Sequence, residues 1–320
     1  MLNNHNIILP ILLNDLKLVQ LNKISSLLGA IKTGNTKIDK CNNITGYFQT
    51  LNKLIEKKND RDGINIMSID TGIINFAWSY FNLQRNENGI ITLSNWNKLN
   101  LNEMFQIHET TFTPIEMSRL TTQLTKFILM QSSPNTIYTI ERQRLRTNSS
   151  KFITEPILNV NIFEHLLFHS LTNQNREMIS SDPGRMTKFW LANKKHYSTK
   201  DSKKLRIETV NNLLKDGTVF RMMPPLQKQL LPWDGIRKNG RKSITIYDKL
   251  QMNERENGKR KDDDLADSLL HGLSWSMWVR NYQQLCNEVM RSGENLKLDE
   301  WIEYHWNEHI KLLDSIQNKT

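Results

Sequence analysis

Two short apolar segments of this chain each run straight into a carboxylate, and a third acidic cluster opens an apolar-periodic stretch further on. Ile64-Asn65-Ile66-Met67-Ser68-Ile69 ends in Asp70, and Ile137-Tyr138-Thr139-Ile140 ends in Glu141. Asp262-Asp263-Asp264-Leu265-Ala266-Asp267 leads into a helical pattern that continues to Arg280. Continuous apolar runs of this length, bounded by turn residues, read as buried strands of an α/β sheet. A chain with a net charge of +10 has no general reason to place acids at such ends. The fold has to bring these three segments together, or keep each acid for a separate purpose.

The elements between the acids fix the order. Strands are expected at 64–69, Asn75 to Phe81 and Ile90 to Trp96, with Asn86-Glu87-Asn88-Gly89 turning between the last two. Thr113-Pro114-Ile115-Glu116 is a capping box with proline at the first helical position, and its helix runs to about Met130 with Leu120, Leu124, Phe127 and Ile128 on one face. Ser132-Ser133-Pro134-Asn135 ends that helix, and strand 137–141 follows. A helix from Thr154 to Leu171, a strand from Glu177 to Ser181 and the helix from Asp262 complete the series. The order β-β-β-α-β-α-β-α is that of a ribonuclease H-like α/β fold, a mixed sheet flanked by helices. The stretch from Gly217 to Gly258 fits no element of that series.

Ahead of this body, Asp15 to Leu28 carries a helical stripe of Leu16, Leu21, Ile24, Leu27 and Leu28. Gly29 stands where a helix C-cap glycine belongs, and Thr36 is placed to cap a second short helix from Lys37. Leu16…Leu21…Gly29…Gly34-Asn35-Thr36-Lys37 resembles the SAP-type helical DNA-binding module. Residues 1–55 are therefore expected to form that module, with Lys37 a DNA contact, and residues 60–320 the ribonuclease H-like body, with a basic insertion and C-terminal helices. The segment from Leu296 to Ile316 is amphipathic and suited to cover the body or support a dimer.

The basic balance suggests a polyanionic partner, nucleic acid before membrane surface. Cys41 and Cys286 are too few for a disulfide framework, which suits a reducing compartment. No run of about 18 apolar residues predicts a membrane span. Met1 to Leu13 is apolar and Asn-rich, with the first basic residue at Lys17, a poor secretory signal and a poor arginine-rich transit peptide.

Asp263 and Asp267 are four apart and Asp264 and Asp267 three apart, so either pair shares a helix face. Clustered carboxylates resist ionisation together unless a cation compensates them. Mg²⁺ meets that need, being a hard ion that takes oxygen ligands at about 2.0–2.1 Å. Two ions about 3.5–4 Å apart suit in-line displacement at phosphorus. Arg142, Arg144 and Arg146 follow Glu141, and a second basic run (Arg185, Lys188, Lys194, Lys195, Lys200, Lys203, Lys204, Arg206) precedes the last acids. Arg237, Lys238, Arg241 and Lys242 form a third. Of these, Arg142, Arg144, Arg146, Arg185 and Lys203 are the expected DNA contacts. His165 and His169, four apart, read as packing or surface histidines rather than zinc ligands. Trp275 and Trp278 read as core.

Ser68-Ile69-Asp70-x-Gly72-x-x-Asn75-Phe76-Ala77, Ile140-Glu141-Arg142-Gln143-Arg144-x-Arg146-Thr147, Ser180-Ser181-Asp182-Pro183-x-Arg185-Met186 and Asp262-Asp263-Asp264-Leu265-Ala266-Asp267-Ser268 are together similar to one family. It is that of the fungal mitochondrial cruciform-cutting endonucleases, Holliday junction resolvases related to bacterial RuvC. The likeness continues into His271-Gly272-Leu273-Ser274-Trp275 and spans most of the chain. It implies a mitochondrial homodimer that cuts four-way DNA junctions symmetrically with Mg²⁺, two ions per site and Mn²⁺ as a substitute, and with no nucleotide cofactor. It also implies Asp70, Glu141 and Asp267 as metal ligands and catalytic residues, with Asp263 or Asp264 as the fourth and the family pattern favouring Asp263. Two alternatives share these features: another ribonuclease H-like nuclease, acting on RNA–DNA hybrid, and a junction-binding protein without cleavage. An actin-like ATPase would need a second phosphate loop and a glycine-rich adenosine loop, for which the chain has no candidates.

Overall fold

The computed structural model describes residues 4–30, 34, 36–58, 63–84, 89–107, 113–143, 154–194, 197–233 and 245–317. Three helices come first: α1 (Asn4–Asp15), α2 (Leu18–Leu28) and α3 (Lys37–Lys58). Then follow β1 (Ile64–Asp70), β2 (Phe76–Leu83), β3 (Ile91–Leu99), the short α4 (Leu101–Met104), α5 (Pro114–Met130) and β4 (Thr136–Glu141). Next are α6 (Glu155–Asn173), β5 (Glu177–Ser181), α7 (Pro183–Trp190) and α8 (Thr199–Asp216). The stretch that sequence left open holds β6 (Arg221–Met222), α9 (Pro224–Leu230), α10 (Ile246–Lys249) and α11 (Glu254–Asn257). Helices α12 (Asp263–Ser292) and α13 (Leu298–Gln317) end the chain. Among the described residues no helix is long and apolar enough to cross a membrane.

Among the described residues six strands form one sheet in the order β5-β4-β1-β2-β3-β6. Strand β1 is antiparallel to β2, which is antiparallel to β3, while β4 is parallel to β1 and β5 parallel to β4. This is the ribonuclease H-like sheet expected from the sequence, with β6 added in parallel at the β3 edge.

Strand alternation decides which residues meet. On β1, Ile64 and Ile66 belong to the core on the α12 side, whereas Met67 and Ile69 pack with α5 and α6 on the other side. Carrying the alternation forward puts Ser68 and Asp70 on the α12 side. On β4, Ile137 lies on the α12 side and Tyr138 and Ile140 on the other, so Thr139 and Glu141 also face α12. Asp70 and Glu141 thus end adjacent parallel strands on the same face, one register step past the Ile69–Ile140 pairing.

Helix α12 crosses that face closely. Ser79 Oγ donates to the Ser268 carbonyl at 2.7 Å, and a Cβ added to Gly272 would meet the Phe81 ring at 2.6 Å and Ser79 Oγ at 2.8 Å. Trp275 and Trp278 are buried as expected and pack edge to face with ring centroids 5.2 Å apart.

The boundary placed between residues 1–55 and 60–320 does not interrupt the packing. Leu13, Leu21, Ile24, Leu28, Ile44 and Phe48 share one core with Trp275, Trp278 and Tyr282. Gly29 caps α2 in the left-handed region at φ 71°, where a Cβ would lie 2.3 Å from the Trp278 indole. The helix from Lys37 is not short but runs 22 residues to Lys58. Helix α13 packs on α2 and α8, making it part of the helical layer. Of the expected features, Asn86 to Asn88, Arg144, Arg146, Lys195 and the loop with Arg237, Lys238, Arg241 and Lys242 lie outside the described residues.

Candidate active site

Among the described residues, Asp70, Glu141 and Asp267 are the one group of three potential metal ligands, each offering an oxygen within 4.8 Å of the others. Strand ends supply two of them, and the first turns of α12 supply the third. The donor set is all carboxylate, which suits a hard divalent cation. Buried polar atoms around it fit the same reading. Ser68 Oγ, Thr71 Oγ1, Thr139 Oγ1 and Glu141 Oε2 have no hydrogen-bond partner among the described residues, an uncommon concentration at one place.

The electrostatics of the protein alone are those of a site built for cations. Burial first, and then the neighbouring Glu141, Asp264, Asp267 and Asp263, hold the Asp70 carboxyl well above the usual carboxylate range. Burial and Glu141 push Asp267 up as well, against the opposing pull of Arg206.

Helix α8 answers the acidic face of α12 with cations at matching spacing. Arg206 grips Asp267 with both prongs, Nε to Oδ1 at 2.6 Å and Nη2 to Oδ2 at 3.0 Å, and is itself steadied by Ser202 Oγ at 2.9 Å. One turn earlier Lys203 pairs with Asp263. Burial opposes ionisation of Asp263, but Lys203 outweighs it and holds the carboxyl below its ordinary range.

Asp264 points elsewhere. Lys98 on β3, fully buried, reaches Asp264 Oδ2 at 2.7 Å and also donates to the carbonyls of Lys259 and Lys261 at 2.9 and 3.3 Å. Burial and Asp263 nonetheless raise the Asp264 carboxyl, with Lys98 opposing.

Glu141 has a polar neighbour of its own, His271, one turn beyond Asp267 on the same face of α12. Trp275 Nε1 donates to Ser181 Oγ at 2.9 Å, and Ser181 Oγ is hydrogen-bonded to His271 Nδ1 at 2.8 Å. His271 Nε2 lies 3.3 Å from Glu141 Oε2. The contact is not an aligned hydrogen bond, and neither atom has another hydrogen-bond partner among the described residues.

The expected DNA contacts separate into two groups. Arg142 is exposed beside Glu141, 3.5 Å from Asp182, and Lys203 is half exposed at the rim. Arg185 is used by the fold: its guanidinium donates to the Gly29 carbonyl at 2.6 Å and lies 5.9 Å from the Trp275 ring centroid. Lys37 donates to the Asn14 carbonyl at 2.5 Å. His165 and His169 hydrogen-bond within their own helix, to the Asn161 carbonyl and Asn173 Nδ2. Arg206, Lys98, Ser181 and His271 are site residues the sequence reading did not assign. Ser181 and His271 lay inside the motifs that carry the resemblance, Arg206 was one cation of a basic run, and Lys98 carried no signal.

Fold and site together define a ribonuclease H-like protein with a carboxylate centre of the nuclease type. A family model described as mitochondrial resolvase Ydc2 / RNA splicing MRS1 matches residues 66–285, and the chain belongs to that family. It is 36% identical over 311 residues to the mitochondrial cruciform cutting endonuclease 1 of Saccharomyces cerevisiae, covering 88% of this chain and 87% of the relative. The protein of the same name from Schizosaccharomyces pombe is 26% identical over 245 residues, covering 71% of this chain and 84% of the relative. The crystal structure of the yeast mitochondrial Holliday junction resolvase Ydc2 is similar in fold, with a TM-score of 0.57 and 23% identity over 85% of this chain and 98% of that one.

Proposed function

We propose that this protein is a Mg²⁺-dependent, structure-selective endonuclease that resolves four-way DNA junctions in mitochondria by symmetrical paired nicks. The observation that carries this reading is the convergence of Asp70, Glu141 and Asp267 at one sheet end. The names of the relatives, mitochondrial cruciform cutting endonucleases, support the substrate and the compartment. Symmetrical cutting needs two sites related by a two-fold axis, and so a homodimer.

In this reading Asp70, Glu141 and Asp267 hold the metal, with Asp263 the fourth ligand. Lys203, on whose ammonium Asp263 depends, is half exposed and free to leave, whereas Asp264 is tied to a lysine with no exposure at all. Divalent cations held by these carboxylates would neutralise them and would supply Lewis acidity for hydrolysis of a phosphodiester. Arg206 fixes the rotamer of Asp267, and His271 with Ser181 orients Glu141. Arg142 and Lys203 are placed to take the phosphates flanking the cut, so junction binding weakens steeply with salt.

Ser181→Ala removes the anchor of the His271 ring without touching a carboxylate. It is expected to raise the Mg²⁺ concentration for half-maximal cleavage about 10-fold, the low end for partners of metal ligands. An unchanged Mg²⁺ titration would remove the Ser181–His271 pair from the site.

The family description also includes an RNA splicing protein, which suggests nucleic-acid binding without cleavage as a second reading. Every acidic position being filled favours the nuclease. The deciding assay offers an immobile four-way junction, a matched linear duplex and an RNA–DNA hybrid, each with Mg²⁺ or EDTA. Paired nicks confined to the junction and dependent on Mg²⁺ are expected. Tight junction binding with no cleavage in Mg²⁺ or Mn²⁺ would overturn the proposal, and preference for hybrid would redirect it.

A further inference from the structure

Helices α12 and α13 leave a gap between them at the end of α12 remote from the carboxylates. It is a cavity of about 320 Å³ whose lining includes Arg280 and Gln284 of α12, Tyr304, His305 and Glu308 of α13, and Leu27 of α2. Arg280 follows Asp267 by 13 residues, about 20 Å along a helix, so this is not part of the metal site.

Arg280 has no counter-charge among the described residues. Its Cγ and Cδ run beside Gly89, where an added Cβ would come within 2.8 and 2.7 Å of them. Among the described residues the guanidinium makes no hydrogen bond or ion pair, and burial pushes it below its ordinary range with no acidic neighbour in opposition. The acid that lines the cavity, Glu308, is paired with Lys311 at 2.7 Å. His305 is held below the usual imidazole range by burial and by the charge of Arg280, against the opposing pull of Glu288 and Glu308. Tyr304, 63% exposed, stands at the solvent side.

A partly buried guanidinium with no partner among the described residues, beside the polar side chains of Gln284, Tyr304 and His305, has the chemistry of an oxyanion site, with Glu308 the acid of the lining. Arginine presents a rigid fork of donors matched to phosphate and is more weakly hydrated than lysine, so it suits a partly buried anion site. We propose that this cavity binds a phosphate group, with Arg280 as the charged ligand and Gln284, Tyr304 and His305 as hydrogen-bonding groups. The phosphate belongs either to an arm of bound DNA, a source that rests on the nuclease reading, or to a free phosphate compound, which does not. The basic surface near the carboxylates would hold the cut strand, and this site would hold phosphate at the opposite end of the sheet.

Arg280→Met keeps the apolar stem and removes the charge, and thermal melting with salt-dependent junction binding tests it. In metal-free buffer without phosphate, the variant is expected to melt above the wild type, because a partly buried charge with no partner among the described residues is gone. Inorganic phosphate, against chloride at equal ionic strength, is expected to raise the melting temperature of the wild type and not of the variant if the site takes free phosphate. If DNA supplies the phosphate, the slope of log affinity against log salt becomes shallower by about 0.9 in Arg280→Met, the loss of one phosphate contact. Gln284→Met, which leaves the charge in place, is expected to weaken the same response to a smaller extent, and it carries the test if Arg280→Met does not fold. A wild type indifferent to inorganic phosphate, together with an unchanged salt slope in the variants, overturns the proposal. A failure of junction cleavage alone would count against the nuclease reading and not against this site.

Discussion

Asp70→Asn is expected to abolish junction cleavage while leaving junction binding intact and making the metal-free protein more stable. Loss of a partner to a metal ligand typically costs 10–100-fold, so loss of a ligand itself should exceed about 100-fold. Binding is expected to survive because, in the proposed reading, it rests on cations elsewhere, Arg142 and Lys203 among them. The stability gain follows from the electrostatics: burial and four neighbouring carboxylates hold the Asp70 carboxyl well above the usual range. An acid raised in the folded state keeps its proton where the unfolded chain has lost it. Stability therefore falls as pH rises from the ordinary carboxylate range through the raised value. Asparagine cannot titrate, so in EDTA the variant should melt above the wild type at neutral pH and lose less stability between acid and neutral pH. Saturating Mg²⁺ should reverse the order, because only the wild type gains from binding the ion. Retained cleavage would take Asp70 out of the site, and identical melting profiles in EDTA would mean that the carboxylates do not repel one another as the geometry requires.

What made Asp70, Glu141 and Asp267 legible in the sequence was local. Each ends or opens an element whose periodicity is strong; strand alternation then fixes the face on which Asp70 and Glu141 emerge, and helical spacing that of Asp267. Pairings between distant elements left no such trace. Arg206 and Lys203 sit three apart on α8 and meet Asp267 and Asp263, four apart on α12, across 61 residues of sequence in the first case. Nothing in a basic run tells these two from its other cations. Arg185 shows the same limit from the other side: its place among basic residues pointed to DNA, and its guanidinium is spent on the Gly29 carbonyl. Lys98 was missed because strand β3 runs three residues past Trp96, and a lysine with no exposure is rare enough that a surface position is the default reading. The N-terminal helices gave a module-like pattern because each carries its own apolar stripe. The partners of those stripes, Trp278 and Tyr282 among them, lie more than two hundred residues away.

Lys98→Met is expected to be the most destabilising single change near the site. The ammonium has three donors, and Asp264 and the carbonyls of Lys259 and Lys261 take them. The ring of Tyr247 lies 5.9 Å away on another side. Removing the lysine leaves two carbonyls unmet and a mostly buried carboxylate without compensation, and breaking a buried pair in this way costs about 3–5 kcal/mol. At about 2–3 °C per kcal/mol for a chain of this size, the melting temperature should fall by about 6–15 °C. Lys98→Met with Asp264→Leu should recover much of that loss, since an apolar pair avoids the desolvation of both charges. The same experiment settles the fourth ligand. Asp263→Asn removes a carboxylate that is itself buried but whose partner Lys203 is half exposed, so it should cost less stability than Lys98→Met and greatly reduce cleavage. Asp264→Asn should do the opposite, lowering the melting temperature while the folded enzyme still cuts in Mg²⁺. If instead Lys98→Met melts with the wild type and Asp264→Asn is stable but inactive, the buried lysine is no brace, and Asp264 rather than Asp263 completes the carboxylate set.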